Sequence, residues 1–74
     1  MRFLVEFYVS AAASDAAMAR ARASHGGIRV LRSVYVPEDE TCLLIVEGAS
    51  ADVVRAGLVG SGLRPDRVQP AIDG

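Results

Sequence analysis

The chain has 74 residues and a net charge of −1, and its eight arginines are spread along its length, a distribution that excludes the strong positive field of a nucleic-acid-binding protein. No window approaches the roughly 20 apolar residues of a membrane span, and a single cysteine excludes an internal disulfide. The sequence therefore predicts one domain over residues 1–74 in the reducing cytoplasm, with neither nucleic acid nor a membrane as partner.

The small size of this domain predicts self-association. A domain of this length hides about 60% of the surface that its unfolded chain exposes, which leaves a monomer marginally stable. The sequence offers neither a cysteine pair nor a Cys/His cluster for a structural zinc, and 51% of its residues are hydrophobic, more than one small core can enclose. We therefore expect a homodimer or a higher homo-oligomer.

The first predicted element is a strand over Arg2 to Val9. Its residues alternate in the manner of a strand with one buried face. The apolar face comprises Phe3, Val5, Phe7 and Val9, and the other face carries Leu4, Glu6 and Tyr8.

A helix is predicted next over Ala16 to Ala23, because this alanine-rich segment has the highest helix propensity in the chain. Ser14 or Asp15 is available to cap its first turn. Gly26 and Gly27 then end it, since glycine accepts the left-handed conformation of a helix C-terminus.

The segment from Ile28 to Gly48 predicts an antiparallel hairpin. Two aliphatic runs, one ending at Val36 and one spanning Thr41 to Val46, have the composition of strands. Between them lies the acidic segment Pro37 to Glu40, where proline cannot donate to a ladder and the chain is expected to reverse.

A second helix is predicted over Ala51 to Val59, with Ser50 as its N-cap and glycines at 60 and 62 beyond its end. Gly57 inside this helix costs about 1 kcal/mol relative to alanine unless another element packs closely against it. The last predicted strand covers Arg67 to Ile72, and Pro70 restricts it to a sheet edge or a bulge.

The order strand, helix, strand, strand, helix, strand predicts an α+β fold of the ferredoxin-like βαββαβ type, with two helices on one face of a four-stranded antiparallel sheet. The helix-free face would carry Leu4, Tyr8, Leu31 and Tyr35. The run Cys42 to Val46 is apolar on both of its faces, whereas a sheet open to water alternates polar with apolar residues. A partner sheet is the simplest cover, which predicts a dimeric α/β barrel.

Short motifs carry a resemblance to a known family. They are LVE in the first strand, YVPEDE at the hairpin turn, the helix start from Ser50 to Arg55, and RPDRVQPAI at the end. Together they resemble a small bacterial ferredoxin-like family of nickel-binding, nickel-responsive proteins. On that resemblance Glu6, Tyr35 with Val36, the acidic turn and Arg67 with Val68 match the family pattern, and nickel is the implied cofactor.

Two family positions differ in this chain. Ser33 stands where the family tends to have a histidine, and Ala56 lies near the place of a second one. Without imidazoles a borderline metal loses the ligands that it prefers to carboxylates. We therefore expect weak or absent nickel affinity, and any metal site to use His25 or Glu6 rather than Cys42.

Glu6 is the leading candidate for chemistry, because a carboxylate in mid-strand between large apolar residues needs either a partner or a raised pKa. It could serve as general base or metal ligand, remain partly solvated on an open sheet, or pair with Arg32 or Arg67 in a dimer interface. Tyr8, Ser33 and Tyr35 could line the same concave face and offer hydroxyls to a ligand, although interfaces select such aromatic residues as well.

The remaining polar candidates have structural interpretations. His25 sits near the end of the first helix, where an imidazolium gains from the helix dipole. Cys42 has no neighbouring histidine and resembles a small buried hydrophobic residue. The three carboxylates from Glu38 to Glu40 are typical of a solvated hairpin tip.

Two classes of function follow. In the first, the chain is a dimeric binding protein that holds a small molecule or a metal ion, nickel by resemblance, on the helix-free face. The predicted ligand-binding residues are Glu6, Tyr8, Ser33, Tyr35 and Arg67. In the second, it is a small dimeric α/β-barrel enzyme of the cyclase, isomerase or cofactor-independent oxygenase kind, with Glu6 as base and Tyr8 or Tyr35 as hydrogen-bond donor. The fold alone does not choose between them.

Overall fold

The computed structural model describes residues 1–73 as a four-stranded sheet and two helices, with a short 3₁₀ turn at Pro37–Asp39. The elements are β1 (Arg2–Tyr8), α1 (Ala11–Arg22), β2 (Arg29–Val36), β3 (Thr41–Glu47), α2 (Ala51–Gly60) and β4 (Arg67–Ala71). Every strand pair is antiparallel and the strand order is β2-β3-β1-β4. This is the predicted ferredoxin-like fold. Within residues 1–73 neither helix has the length and apolar character needed to span a membrane.

The hydrophobic core lies between the two helices and one face of the sheet. Phe3, Val5 and Phe7 of β1 point into it, as their alternation predicted. They meet Cys42, Leu44 and Val46 of β3, Ala17 and Ala21 of α1, Val54 and Leu58 of α2, and Leu63 of the following loop. Because both helices contribute to this one cluster, both lie on the same side of the sheet.

Helix α1 begins earlier than the sequence predicted. Its N-cap residue is Ser10, so Ser14 and Asp15 lie inside the helix and the prediction that one of them caps it is wrong. The alanines at 11 to 13 are strong helix formers and extend the helix backwards. Ser14 is buried, and its hydroxyl donates to the Ala11 carbonyl at 2.8 Å, which satisfies the hydroxyl within the helix.

The C-terminus of α1 is closed without His25, contrary to the expected capping role. The backbone N–H groups of Ala23 and Ser24 donate to carbonyls of the last turn, and the Ser24 hydroxyl donates to the Arg20 carbonyl. His25 lies beyond these residues and is exposed. Gly26 and Gly27 follow with φ values of 78° and 85°, the left-handed turn that the sequence predicted.

Helix α2 and strand β4 follow the sequence predictions closely. The Ser50 hydroxyl accepts a hydrogen bond from the Val53 N–H at 3.2 Å, so Ser50 is the N-cap. Gly57 meets the condition set for a glycine inside a helix, because Ile28 and the His25 carbonyl lie directly against it. Pro70 lies in β4, which is an edge strand.

An irregularity in β2 changes which of its side chains face the helices. The pairing with β3 runs from Val30 opposite Val46 to Arg32 opposite Ile45, so Leu31 is an extra residue. Because side chains alternate along a strand, one extra residue turns every later side chain to the other face. Ser33 and Tyr35 therefore face the helices, and their predicted place on the helix-free face is wrong. Arg32, Val34 and Val36 take that place.

Candidate functional site

The helix-free face of the sheet consists of four rows of side chains that run across the strands. Their composition follows from the strand register, because directly paired residues share a face. From one end of the face to the other, the rows are Arg29, Glu47, Arg2 and Ala71; then Arg32, Ile45, Leu4 and Gln69; then Val34, Leu43, Glu6 and Arg67; and finally Val36, Thr41 and Tyr8.

The first row is ionic. Glu47 pairs with Arg29 at 3.2 Å and with Arg2 at 4.0 Å, and Arg2 also contacts Asp73. These groups are substantially exposed to solvent, so their pairing adds little to stability. The row sets a charged border at one end of the face.

An aliphatic patch occupies the middle of the face, formed by Leu4, Val34, Val36, Leu43 and Ile45. Val34 keeps 41% of its surface exposed, and the other four are half-buried by their neighbours in the sheet. Both helices pack on the opposite side. Within residues 1–73 the patch is therefore turned to solvent, as the two-sided apolar character of β3 predicted.

Beside this patch is an open depression of about 510 Å³. Glu6 and Tyr8 come from β1, Val36 from the end of β2, Asp39 from the hairpin turn, and Thr41 and Leu43 from β3. The hairpin brings Asp39 here because Tyr8 and Thr41 are paired across the strands. The lining thus combines two carboxylates and two hydroxyls with aliphatic walls.

Asp66, which directly precedes β4, holds the end of β1 in place through the backbone. Its N–H donates to the Glu6 carbonyl at 2.8 Å, and its carboxylate accepts from the Tyr8 N–H at 3.0 Å. These two bonds fix the backbone of both candidate residues without engaging their side chains. The Glu6 carboxylate and the Tyr8 hydroxyl can therefore meet a ligand.

Three of the predicted ligand-binding residues share this face. Glu6 and Arg67 lie opposite each other in the β1–β4 register, and Tyr8 lies one row further along. Arg67 is exposed and stands next to the depression rather than in its lining. An anionic group at Glu6 and a cationic group at Arg67 therefore occur side by side at its border.

Tyr35 does not join them, which corrects its predicted place beside Glu6 and Tyr8. Its hydroxyl donates to the Val9 carbonyl at 2.8 Å on the helix side of the sheet. Burial raises the pKa of this phenol, and the nearby charges of Glu40 and Cys42 raise it further. The Tyr35 hydroxyl thus donates to the backbone. Ser33 also lies on the helix side of the sheet, so neither residue faces Glu6.

The residues predicted as metal ligands do not fit one nickel ion. Glu6 lies on the helix-free face, whereas His25 lies beside α2, with its carbonyl against Gly57. Within residues 1–73 no group of three or more His, Cys, Asp or Glu side chains has a metal-binding arrangement. Cys42 is buried among apolar side chains, and this burial raises the pKa of its thiol.

Comparison with known proteins supports the fold. SCO4226, a protein of Streptomyces coelicolor A3(2) known from its crystal structure, superposes with a TM-score of 0.83 over 100% of this chain and 99% of its own. The two sequences are 15% identical, so the likeness concerns the fold. No protein-family model matches the chain, and no curated protein matches it.

Sequence reasoning missed Val36, Asp39, Thr41 and Leu43 as neighbours of Glu6. The predicted solvated tip is confirmed, since Glu38, Asp39 and Glu40 are exposed, but the hairpin also returns Asp39 to the level at which β1 ends. The register of β1 against β3 decides this proximity, and composition does not carry it. One residue in the sequence could have indicated the β2 bulge. If side chains alternated without interruption from Val30, which faces the core, the guanidinium of Arg32 would point into the core as well.

Proposed function

We propose that the chain is a homodimeric binding protein that pairs through the helix-free face of its sheet and holds a small molecule in the depression beside Glu6. The observation that carries the proposal is the aliphatic patch on that face, which is turned to solvent and is bordered by the Glu6 carboxylate. Patches of this kind mark interaction sites on soluble proteins.

The occupant that fits this face best is a second copy of the same chain. A two-fold interface places one surface against itself, so it needs an apolar centre and charges of both signs around it. The aliphatic patch supplies the centre, and Arg32, Glu6, Arg67 and Glu47 supply both signs at its borders.

The area that such an interface needs is a small part of the surface of the chain. A specific interface buries about 1,000 Å² or more in total, so each chain contributes about 500 Å². The whole chain exposes 4568 Å², so the required contribution is roughly a ninth of its surface.

The depression beside Glu6 is open in one chain, and the partner sheet would close it. The lining favours a small molecule with a protonated amine and an apolar body, since Glu6 and Asp39 offer carboxylates while Val36 and Leu43 offer aliphatic contacts. A carboxylate that accepts from an ammonium group in a partly desolvated site makes a charge-assisted hydrogen bond.

The enzymatic alternative keeps Glu6 as base and Tyr8 as donor and loses Tyr35. No observation favours it over binding. Weak or absent nickel affinity likewise stays a prediction. It is supported by the described residues, whose candidate ligands do not converge on one ion.

The ligand proposal is tested by titrating the chain with phenethylamine, 2-phenylethanol and phenylacetate, followed by backbone NMR shifts. Phenethylamine is expected to bind best and to shift residues 6 to 8 and 39 to 43. Glu6→Gln should weaken it by about tenfold or more, since hydrogen bonds to charged groups are worth about 1.5–3 kcal/mol. The unfolding free energy should change by no more than about 1 kcal/mol.

Glu38→Gln is the matched control, because it also removes one carboxylate charge, from the hairpin turn that carries Asp39, but lies outside the lining. It should leave phenethylamine binding nearly unchanged. Equal binding of the three compounds, or equal effects of the two substitutions, would show that Glu6 recognises no amine. A Glu6→Gln variant that unfolds or dissociates would assign Glu6 to structure instead.

A further inference from the structure

A second groove lies on the helical side of the sheet, where α1 meets the loop that follows α2. Its volume is about 300 Å³, at the lower end of the roughly 300–1,000 Å³ range of small-molecule sites. Its apolar walls include Phe7, Ala13, Ala17 and Leu63. Phe7, Ala17 and Leu63 belong to the core and expose 6% or less of their surface, so they form the floor of the groove.

The alanines of α1 create this space. Ala13, Ala16 and Ala17 share the side of the helix that borders the groove, and a methyl side chain at each position leaves room between the helix and the 62–64 segment. Larger residues there would fill the groove. The opening therefore depends on the helix sequence.

Two arginines line the groove, Arg20 on α1 and Arg64 on the loop. Both side chains are exposed, and within residues 1–73 neither forms an ion pair. No carboxylate belongs to the described lining. The groove thus has an excess of positive charge beside an apolar wall, in a chain whose net charge is −1.

The loop that carries Arg64 is held at both ends. On one side the Leu63 N–H donates to the Leu58 carbonyl, and on the other the Arg55 guanidinium donates to the Pro65 carbonyl at 2.9 Å. The Asp66 N–H then ties the loop to β1. This anchoring reduces the loop entropy that a ligand would have to remove.

We propose that this groove binds a small apolar carboxylic acid in its ionised form, with Arg20 and Arg64 at the carboxylate and Phe7, Ala17 and Leu63 against the apolar chain. Guanidinium groups match carboxylate geometry, and two of them next to an apolar channel select an anion with a hydrocarbon tail. The groove opens on the helical side of the sheet, and Tyr8 at the end of β1 lines both this groove and the depression beside Glu6.

The test is an NMR titration of the intact chain with octanoate, octan-1-ol and octylamine. Octanoate is expected to shift the amides of residues 13–20 and 62–64 and to bind at least about tenfold more tightly than either other compound. Arg20→Gln and Arg64→Gln should each weaken octanoate by about tenfold. Ala16→Leu, which fills the groove and leaves both arginines in place, should also weaken it.

Arg22→Gln is the matched control, since Arg22 is an exposed arginine of the same helix outside the groove lining. It should bind octanoate like the unaltered chain. Failure of octanoate to bind, equal binding of octan-1-ol, shifts confined to other residues, or an equal effect of Arg22→Gln would each overturn the proposal. Phe7 and Tyr8 line this groove as well, so the amine site beside Glu6 is followed by the amides of residues 39 to 43 and the groove by those of residues 13–20 and 62–64, and the two proposals fail separately.

Discussion

Tyr35 shows how one side chain can be taken for a functional group when its role is structural. Uninterrupted alternation in β2 would have placed its hydroxyl on the helix-free face, but the bulge at Leu31 turns it to the helix side, where it donates a hydrogen bond to the Val9 carbonyl. This bond links β2 to the segment that leaves β1. The phenol must remain protonated to donate it.

We predict that Tyr35→Phe lowers stability at neutral pH, because the Val9 carbonyl loses its donor. It should also change the alkaline limb of the stability profile. The folded-state pKa of Tyr35 is raised above the ordinary value of 10.0, so its contribution is fully present below that value and is lost as pH rises through the folded pKa. In the Tyr35→Phe variant, this part of the decrease in unfolding free energy at alkaline pH should be absent.

Urea denaturation at neutral pH and above pH 10.0 measures both effects. Tyr8→Phe is the control, since Tyr8 is 66% exposed and its hydroxyl has no partner within residues 1–73. It should unfold like the unaltered chain at neutral pH. A Tyr35→Phe variant with the original alkaline slope would show that Tyr35 makes no such contribution.

At the scale of elements, α2 packs closely against the 24–28 segment, and this close approach requires a residue without a side chain at Gly57. A Cβ atom there would lie 2.8 Å from Ile28 Cδ1 and 2.9 Å from the His25 carbonyl oxygen. The Ile28 side chain can move, but the carbonyl belongs to the backbone. The close approach explains why a residue that weakens helices stands inside this one.

Gly57→Ala should therefore destabilise the protein by up to about 2 kcal/mol, because overpacking typically costs about 1–3 kcal/mol and the gain in helix propensity returns about 1 kcal/mol. Gly60→Ala is the matched control in the same helix, where an added Cβ meets nothing within 4 Å. It should be neutral or slightly stabilising. Chemical denaturation compares the two, and a stabilised Gly57→Ala variant would contradict the close packing.

The elements also show what the sequence could and could not reveal. Alternation in β1, the Ser50 cap and the edge position of Pro70 are local signals, and each predicted its feature correctly. The start of α1 was misplaced because alanine propensity extended the helix past two good capping residues. The face of Tyr35 depended on one extra residue in β2, and the position of Asp39 beside Glu6 depended on strand register. Both are tertiary properties.

At the scale of the whole molecule, the two sides of the sheet are used differently. One side is closed by the helices and holds the core, with a small cationic groove at its edge. The other carries the aliphatic patch and the depression beside Glu6. A chain of this size would gain stability if a copy of itself covered the second side, and the same contact would close the proposed ligand site.

Sedimentation velocity at micromolar concentration tests this central claim most directly. The unaltered chain is expected to sediment at twice its own mass, and Ile45→Glu as a folded monomer, because it places a charge in the middle of the aliphatic patch. Val59→Glu is the matched control, an equal change at a 56% exposed valine on α2, and it should remain dimeric. A folded monomer for the unaltered chain, or a dimer that Ile45→Glu leaves intact, would contradict the account.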